Sequence, residues 1–152
     1  MKVKLSEIAE AIDFDSEESL SLLNIKTGKV CSFQKEYLSV AEDEEDLSDF
    51  VDWEQEEILR AKKYLKKPND YIGLPSKFDL NEYSIMENFI IEVPSEKQKE
   101  VLFNAIKGKG AFAKFRKGVE QFNLLEKWNE YDNNALTEFA KNWCRENEIE
   151  YE

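Results

Sequence analysis

The chain has 152 residues, with 33 Asp or Glu against 21 Lys or Arg for a net charge of −12, and it contains no histidine. That absence excludes Ser-His-Asp and Cys-His catalysis, histidine-ligated zinc and the imidazole proton shuttle, and the negative field opposes non-specific binding to nucleic acid or anionic membranes. With 41% hydrophobic and 12% aromatic residues the chain has enough apolar surface for one folded core, so a single domain over residues 1–152 is expected.

The elements follow from periodicity. Leu5, Ile8, Ala9 and Ile12 recur at helical spacing, with Ser6 or a neighbour available as a cap. Leu20 to Ile25 and Lys29 to Phe33 flank Lys26-Thr27-Gly28, where a glycine can supply positive φ, and this predicts a hairpin over about 19–38 with Tyr37, Leu38 and Val40 extending its second strand. Such a ribbon is marginal alone and has to lean on helices or a third strand. From Ala41 to Leu59 the chain carries many carboxylates and no basic residue, which reads as a solvated loop leading into a helix N-terminus, or else as a nucleic-acid mimic or a docking face for a basic partner. Trp53, Ile58, Ala61, Tyr64 and Leu65 form the expected buried stripe of that helix, which Pro68 stops.

The helical part runs over about 52–147. Asn69 to Lys77 reads as a loop anchored by Tyr71, Ile72 and Leu74. Asp79 with Glu82, and Ser95 with Gln98, are spaced as capping boxes, each ahead of an apolar face. Gly108 and Gly110 then predict a sharp helix-to-helix corner, after which Phe112, Phe115, Val119 and Phe122 share one face directed at the core. A bend is expected near Asn123, and Asp132, Asn133 or Asn134 as the cap of a last helix buried through Leu136, Phe139, Ala140 and Trp143. The fold class is therefore α+β, mostly helical, with a small N-terminal antiparallel ribbon packed on a helical bundle.

The chain resembles the bacterial group known as uncharacterised protein family 0158. The resemblance rests on the Leu-x-Ile-x-Thr-Gly-x-Val hairpin from Leu23 to Val30, on Met86-x-x-Phe89, and on Ala105-Ile106-x-Gly108-x-Gly110-Ala111-Phe112-x-x-Phe115. Trp128 and Ala140-x-x-Trp143 complete it. Ala113, Asn129 and Cys144 depart from the family pattern, the first of them where relatives look basic. The resemblance implies a single bacterial domain and assigns no activity, cofactor or catalytic residue.

Chemistry is sparse in this pattern. Cys31 and Cys144 are far apart and lack a histidine to activate them, so each reads as a small buried hydrophobe in a reducing cytoplasm. Gly108-Lys109-Gly110 lacks the Ser or Thr and the preceding strand of a phosphate loop, which excludes a nucleotide hydrolase on that pattern. What survives is an anion site built from Lys107, Lys109, Gly110, Lys114 and Arg116, set against the plainer reading of a solubilised corner. No catalytic residue, metal ligand or cofactor is assigned, and the balance points away from an enzyme, with carboxylate and Mg²⁺ chemistry left open. The leading expectation is a cytoplasmic, non-catalytic interaction or regulatory protein with a protein partner and no membrane contact. The alternative is a module that binds anions or the RNA backbone at the basic corner.

Overall fold

In the computed structural model, which describes residues 2–152, the chain is α+β and mostly helical, with one small antiparallel sheet. It divides into two compact units, one comprising the chain up to Lys77 together with Ala140–Glu152, the other Phe78–Phe139.

The first unit is organised around a sheet of three strands, β1 (Ser19–Asn24), β2 (Val30–Gln34) and β3 (Tyr71–Gly73), in the order β2-β1-β3. The ribbon thus gains its third strand from Tyr71–Gly73, a segment that the sequence presents as a loop. β1 has an unpaired edge once β2 is in place, and β3 fills it: Ile25 N–H donates to Asp70 O at 2.8 Å and Leu74 N–H to Ser21 O at 3.1 Å. Helix α1 (Leu5–Asp13) buries Leu5, Ile8 and Ile12, as its spacing predicts, but Lys4 precedes it with no side-chain cap from Ser6.

The second strand ends earlier than expected. Lys35–Asp43 is helix α2, which buries Tyr37, Leu38, Val40 and Ala41. Two adjacent apolar residues followed at i+3 and i+4 fit one helical face and cannot alternate across a strand. Helix α3 (Asp52–Lys66) packs against α2 over a core of Leu22, Phe33, Tyr37, Leu38, Ile58 and Ala61. Phe33 stacks on Tyr64 at 5.4 Å, and Tyr64 meets Tyr71 edge-on at 4.9 Å. Near the chain ends, Val3 and Tyr151 form a parallel bridge.

In the second unit a short turn of helix, α4 (Lys77–Leu80, its first residue in the other unit), is followed by α5 (Glu82–Ile91), α6 (Glu96–Ala105), α7 (Ala111–Gln121) and the start of α8 (Leu125–Glu146). The cap of α5 is Asn81, not Asp79: Asn81 adopts φ 56° and its side chain accepts from Ser84 N–H, so the left-handed residue separates α4 from α5. Ser95 caps α6 as expected, its Oγ accepting from Gln98 N–H at 3.3 Å. The interior is a cluster of rings in which Phe115 lies 4.7 Å from Trp128 and Phe89 lies 5.3 Å from Trp128 and 5.4 Å from Tyr131. Phe115 and Val119 are buried while Phe122 is half-buried and Phe112 is 58% exposed, so the aromatic face of α7 is narrower than four residues at helical spacing suggest. No helix break occurs at Asp132–Asn134; α8 runs through it, because Trp128, Tyr131, Leu136 and Phe139 keep a continuous helical period across the polar residues.

Candidate functional site

The glycine corner has the predicted form. Gly108 and Gly110 adopt φ 76° and 72°, and Gly110 is the N-cap of α7. The first turn of α7 holds no acidic residue and no side-chain cap, and the first helical bond is Lys114 N–H to Gly110 O at 3.0 Å. The amides of Ala111, Phe112 and Ala113 therefore precede the hydrogen-bonded ladder, at the positive end of the helix dipole. Lys114 folds back over this turn, its Cε 3.9 Å from where a Cβ on Gly110 would stand.

The five candidate residues are not all gathered there. Lys107 Nζ donates to Asn104 Oδ1 at 3.4 Å, and Arg116 pairs with Glu120 at 3.3 Å. Arg116 follows Lys114 by two residues, about 200° around the helix, so its guanidinium serves the far side. Lys109, Gly110 and Lys114 remain together at the corner, all three exposed.

A second surface lies in the first unit, on the acidic stretch. Val51, Trp53 and Leu59 are 54%, 60% and 54% exposed. From Glu42 to Glu56 no carboxylate has an ion pair among the described residues; the ion pair of this region is Glu57 with Arg60 at 2.7 Å. Asp46 accepts from Ser48 N–H at 3.0 Å and from Ser48 Oγ at 2.9 Å, and these bonds hold its carboxyl below the usual range. Trp53 packs edge-on against Tyr37 at 6.2 Å. Tyr37 donates its hydroxyl to Glu54 Oε2 at 2.8 Å, and that bond, then burial and the neighbouring carboxylates, push the phenol up to about 12. Glu54 Oε1 also accepts from Val51 N–H at 3.4 Å, closing the start of α3.

The sequence assigns Trp53 to the buried stripe, yet Trp53 stands five residues before Ile58, about 140° around the helix from it. The face shared with Ile58, Ala61 and Leu65 belongs to Glu54. Phase along α3 was the signal that would have marked Trp53 as an outward ring.

Both cysteines are free thiols, and burial pushes each above its ordinary range. Among the described residues no group of three or more Asp, Glu or Cys side chains is gathered to hold a metal ion, so no residue is named as a ligand. No helix among the described residues is long and apolar enough to cross a membrane.

A family model described as "Uncharacterised protein family (UPF0158)" matches residues 33–152. The UPF0158 protein PA5073 of Pseudomonas aeruginosa is 30% identical over 67 residues, a match spanning 43% of this chain and 44% of that relative. No solved structure matches the chain.

Proposed function

Because this chain belongs to the Uncharacterised protein family (UPF0158), whose name carries no activity, its role has to be read from its surfaces, and we propose that it is a cytoplasmic, non-catalytic protein that binds a basic protein partner. The observation that carries this reading is the exposure of Val51, Trp53 and Leu59 on a stretch whose carboxylates from Glu42 to Glu56 hold no ion pair among the described residues. A tryptophan left mostly in water is costly unless another surface covers it, and aromatic anchors of this kind supply much of the binding energy where proteins meet. The surrounding charge selects the partner: it speeds encounter with a basic surface and repels acidic ones.

A second reading uses the opposite charge. The uncapped first turn of α7, with Lys109 and Lys114 beside it, supports binding of a phosphate or an RNA backbone at the corner. One experiment separates the two. Wild-type protein, a Trp53→Ala, Leu59→Ala variant and a Lys109→Glu, Lys114→Glu variant are each used at low salt to capture stoichiometric material, protein and nucleic acid alike, from cells that make the protein. A protein captured by the wild type and by the corner variant, lost with the α3 variant, is the expected result. Loss with the corner variant alone transfers the function to the corner. Capture of nothing stoichiometric by the wild type overturns both.

A further inference from the structure

The free edge of β2 supplies a more specific docking feature. The register places Ser21 opposite Ser32 and Leu22 opposite Cys31. Asn24 N–H donates to Lys29 O at 2.9 Å and Lys35 N–H to Glu18 O at 2.9 Å, so the pairs bonded to β1 are those in phase with them, Leu22 with Cys31 and Leu20 with Phe33. Val30, Ser32 and Gln34 belong to the alternate set, whose peptide groups point away from the partner strand. Arg60 reports the same direction: its guanidinium reaches past the sheet to donate to Ser32 O at 2.7 Å while lying 4.5 Å from the Phe33 ring centroid. The N–H groups of Val30, Ser32 and Gln34 and the carbonyl of Val30 have no partner among the described residues.

Beside that edge runs a groove of about 400 Å³ lined by Glu7, Glu10 and Ala11 of α1, by Phe14, which caps its C-terminal end, and by Lys29, Val30 and Ser32. Residues 7, 10, 11 and 14 recur at i, i+3, i+4 and i+7, so one helical stripe forms the whole wall. Phe14 is 73% exposed.

We propose that β2 and α1 together accept an extended peptide segment of a basic partner, which adds to the sheet as a fourth strand. This rests on the reading of the protein as a binder of basic partners and names the form the partner takes. Strand addition satisfies the outward peptide groups that Arg60 leaves open, and the side chains that its alternate residues turn toward α1 meet Ala11, Phe14 and Val30 where they are apolar and Glu7 and Glu10, which outnumber Lys29 in the groove, where they are lysine or arginine. A second copy of the chain is the other natural occupant of a free edge, but pairing β2 with β2 would bring together two walls that each carry Glu7 and Glu10, on chains of net charge −12.

The test uses the full chain and a blocked peptide of Lys-Thr-Val-Thr repeats, which puts lysine and valine on one strand face, followed by amide hydrogen exchange and by titration. The expected result is that exchange slows at Val30, Ser32 and Gln34. Methylating every peptide nitrogen, which keeps each charge and side chain and removes each donor, weakens binding about tenfold or more. Ser32→Pro, which removes an outward N–H and leaves the β1 ladder its bonds, weakens it similarly. Glu7→Lys with Glu10→Lys, on an exposed helix surface, does so without altering the sheet. Equal binding of the methylated peptide, or no slowing at those amides with millimolar peptide, overturns strand addition. If Trp53→Ala, Leu59→Ala still loses a captured partner in that case, partner binding stands and only its strand form fails. Slowing without peptide that grows with protein concentration gives the edge to a second copy and likewise overturns the proposal.

Discussion

Glu54 is a carboxylate on the inward face of α3 that two donors meet, Tyr37 Oη at 2.8 Å and Val51 N–H at 3.4 Å. The effect falls on Tyr37, whose phenol rises from 10.0 to about 12. Since the folded state favours the protonated phenol, its contribution to stability is complete below pH 10, declines as pH rises through about 12, and is gone above. Tyr37→Phe is therefore expected to lower the melting temperature at neutral pH, with the gap to wild type closing as the pH is taken through that window. A gap that is constant with pH would assign the effect to packing alone. Sequence reading placed Tyr37 in a strand and Trp53 in the core, and missed this pair because a hydrogen bond across 17 residues leaves no periodic trace.

At the scale of elements, glycine was the most legible signal. Gly108 and Gly110 mark the corner because a positive φ there costs other residues about 1–2 kcal/mol, and the structure turns where they stand. Helix ends read from cap residues fared less evenly. Ser95 caps α6, whereas Asp132, Asn133 and Asn134, expected to open the last helix, sit inside α8, since good cap residues are tolerated within a helix when the apolar period on either side stays in phase. Gly118 carries a constraint of another kind. Its missing side chain admits Leu102 from α6, and a Cβ there would lie 2.7 Å from Leu102 Cδ2, a side chain with no exposed surface. Gly118→Val is expected to cost about 1–3 kcal/mol in urea unfolding, and Gly118→Ala less, because the gain in helix propensity of about 1 kcal/mol offsets part of the overlap. A neutral Gly118→Val would show that α6 and α7 shift apart freely.

Over the whole molecule, the sequence announced the α+β class, the hairpin and the helical remainder, and the family resemblance stated from residues 23–143 agrees with a model match over 33–152. The candidate site was legible only in outline. Charge can be counted along a chain, but whether Arg116 turns toward Gly110 or toward Glu120 depends on helical phase and on a neighbour's position. The third strand escaped notice because its three residues are too few to alternate, and it exists only to complete β1.

The seam beside α1 has a topological corollary. Val3 N–H donates to Glu150 O at 3.0 Å, Glu152 N–H to Val3 O at 2.9 Å and Leu5 N–H to Glu152 O at 3.1 Å, so residues 3 and 151 are stitched side by side. Joining those two points through a short glycine-serine bridge and cutting the backbone between the exposed residues Lys26 and Thr27 should yield a permuted protein with the parent's tryptophan emission and a single cooperative melt. Loss of cooperativity would mean that continuity through the hairpin is indispensable to folding. If the permutant folds, the order in which the elements are strung matters less to this protein than which of them end up adjacent.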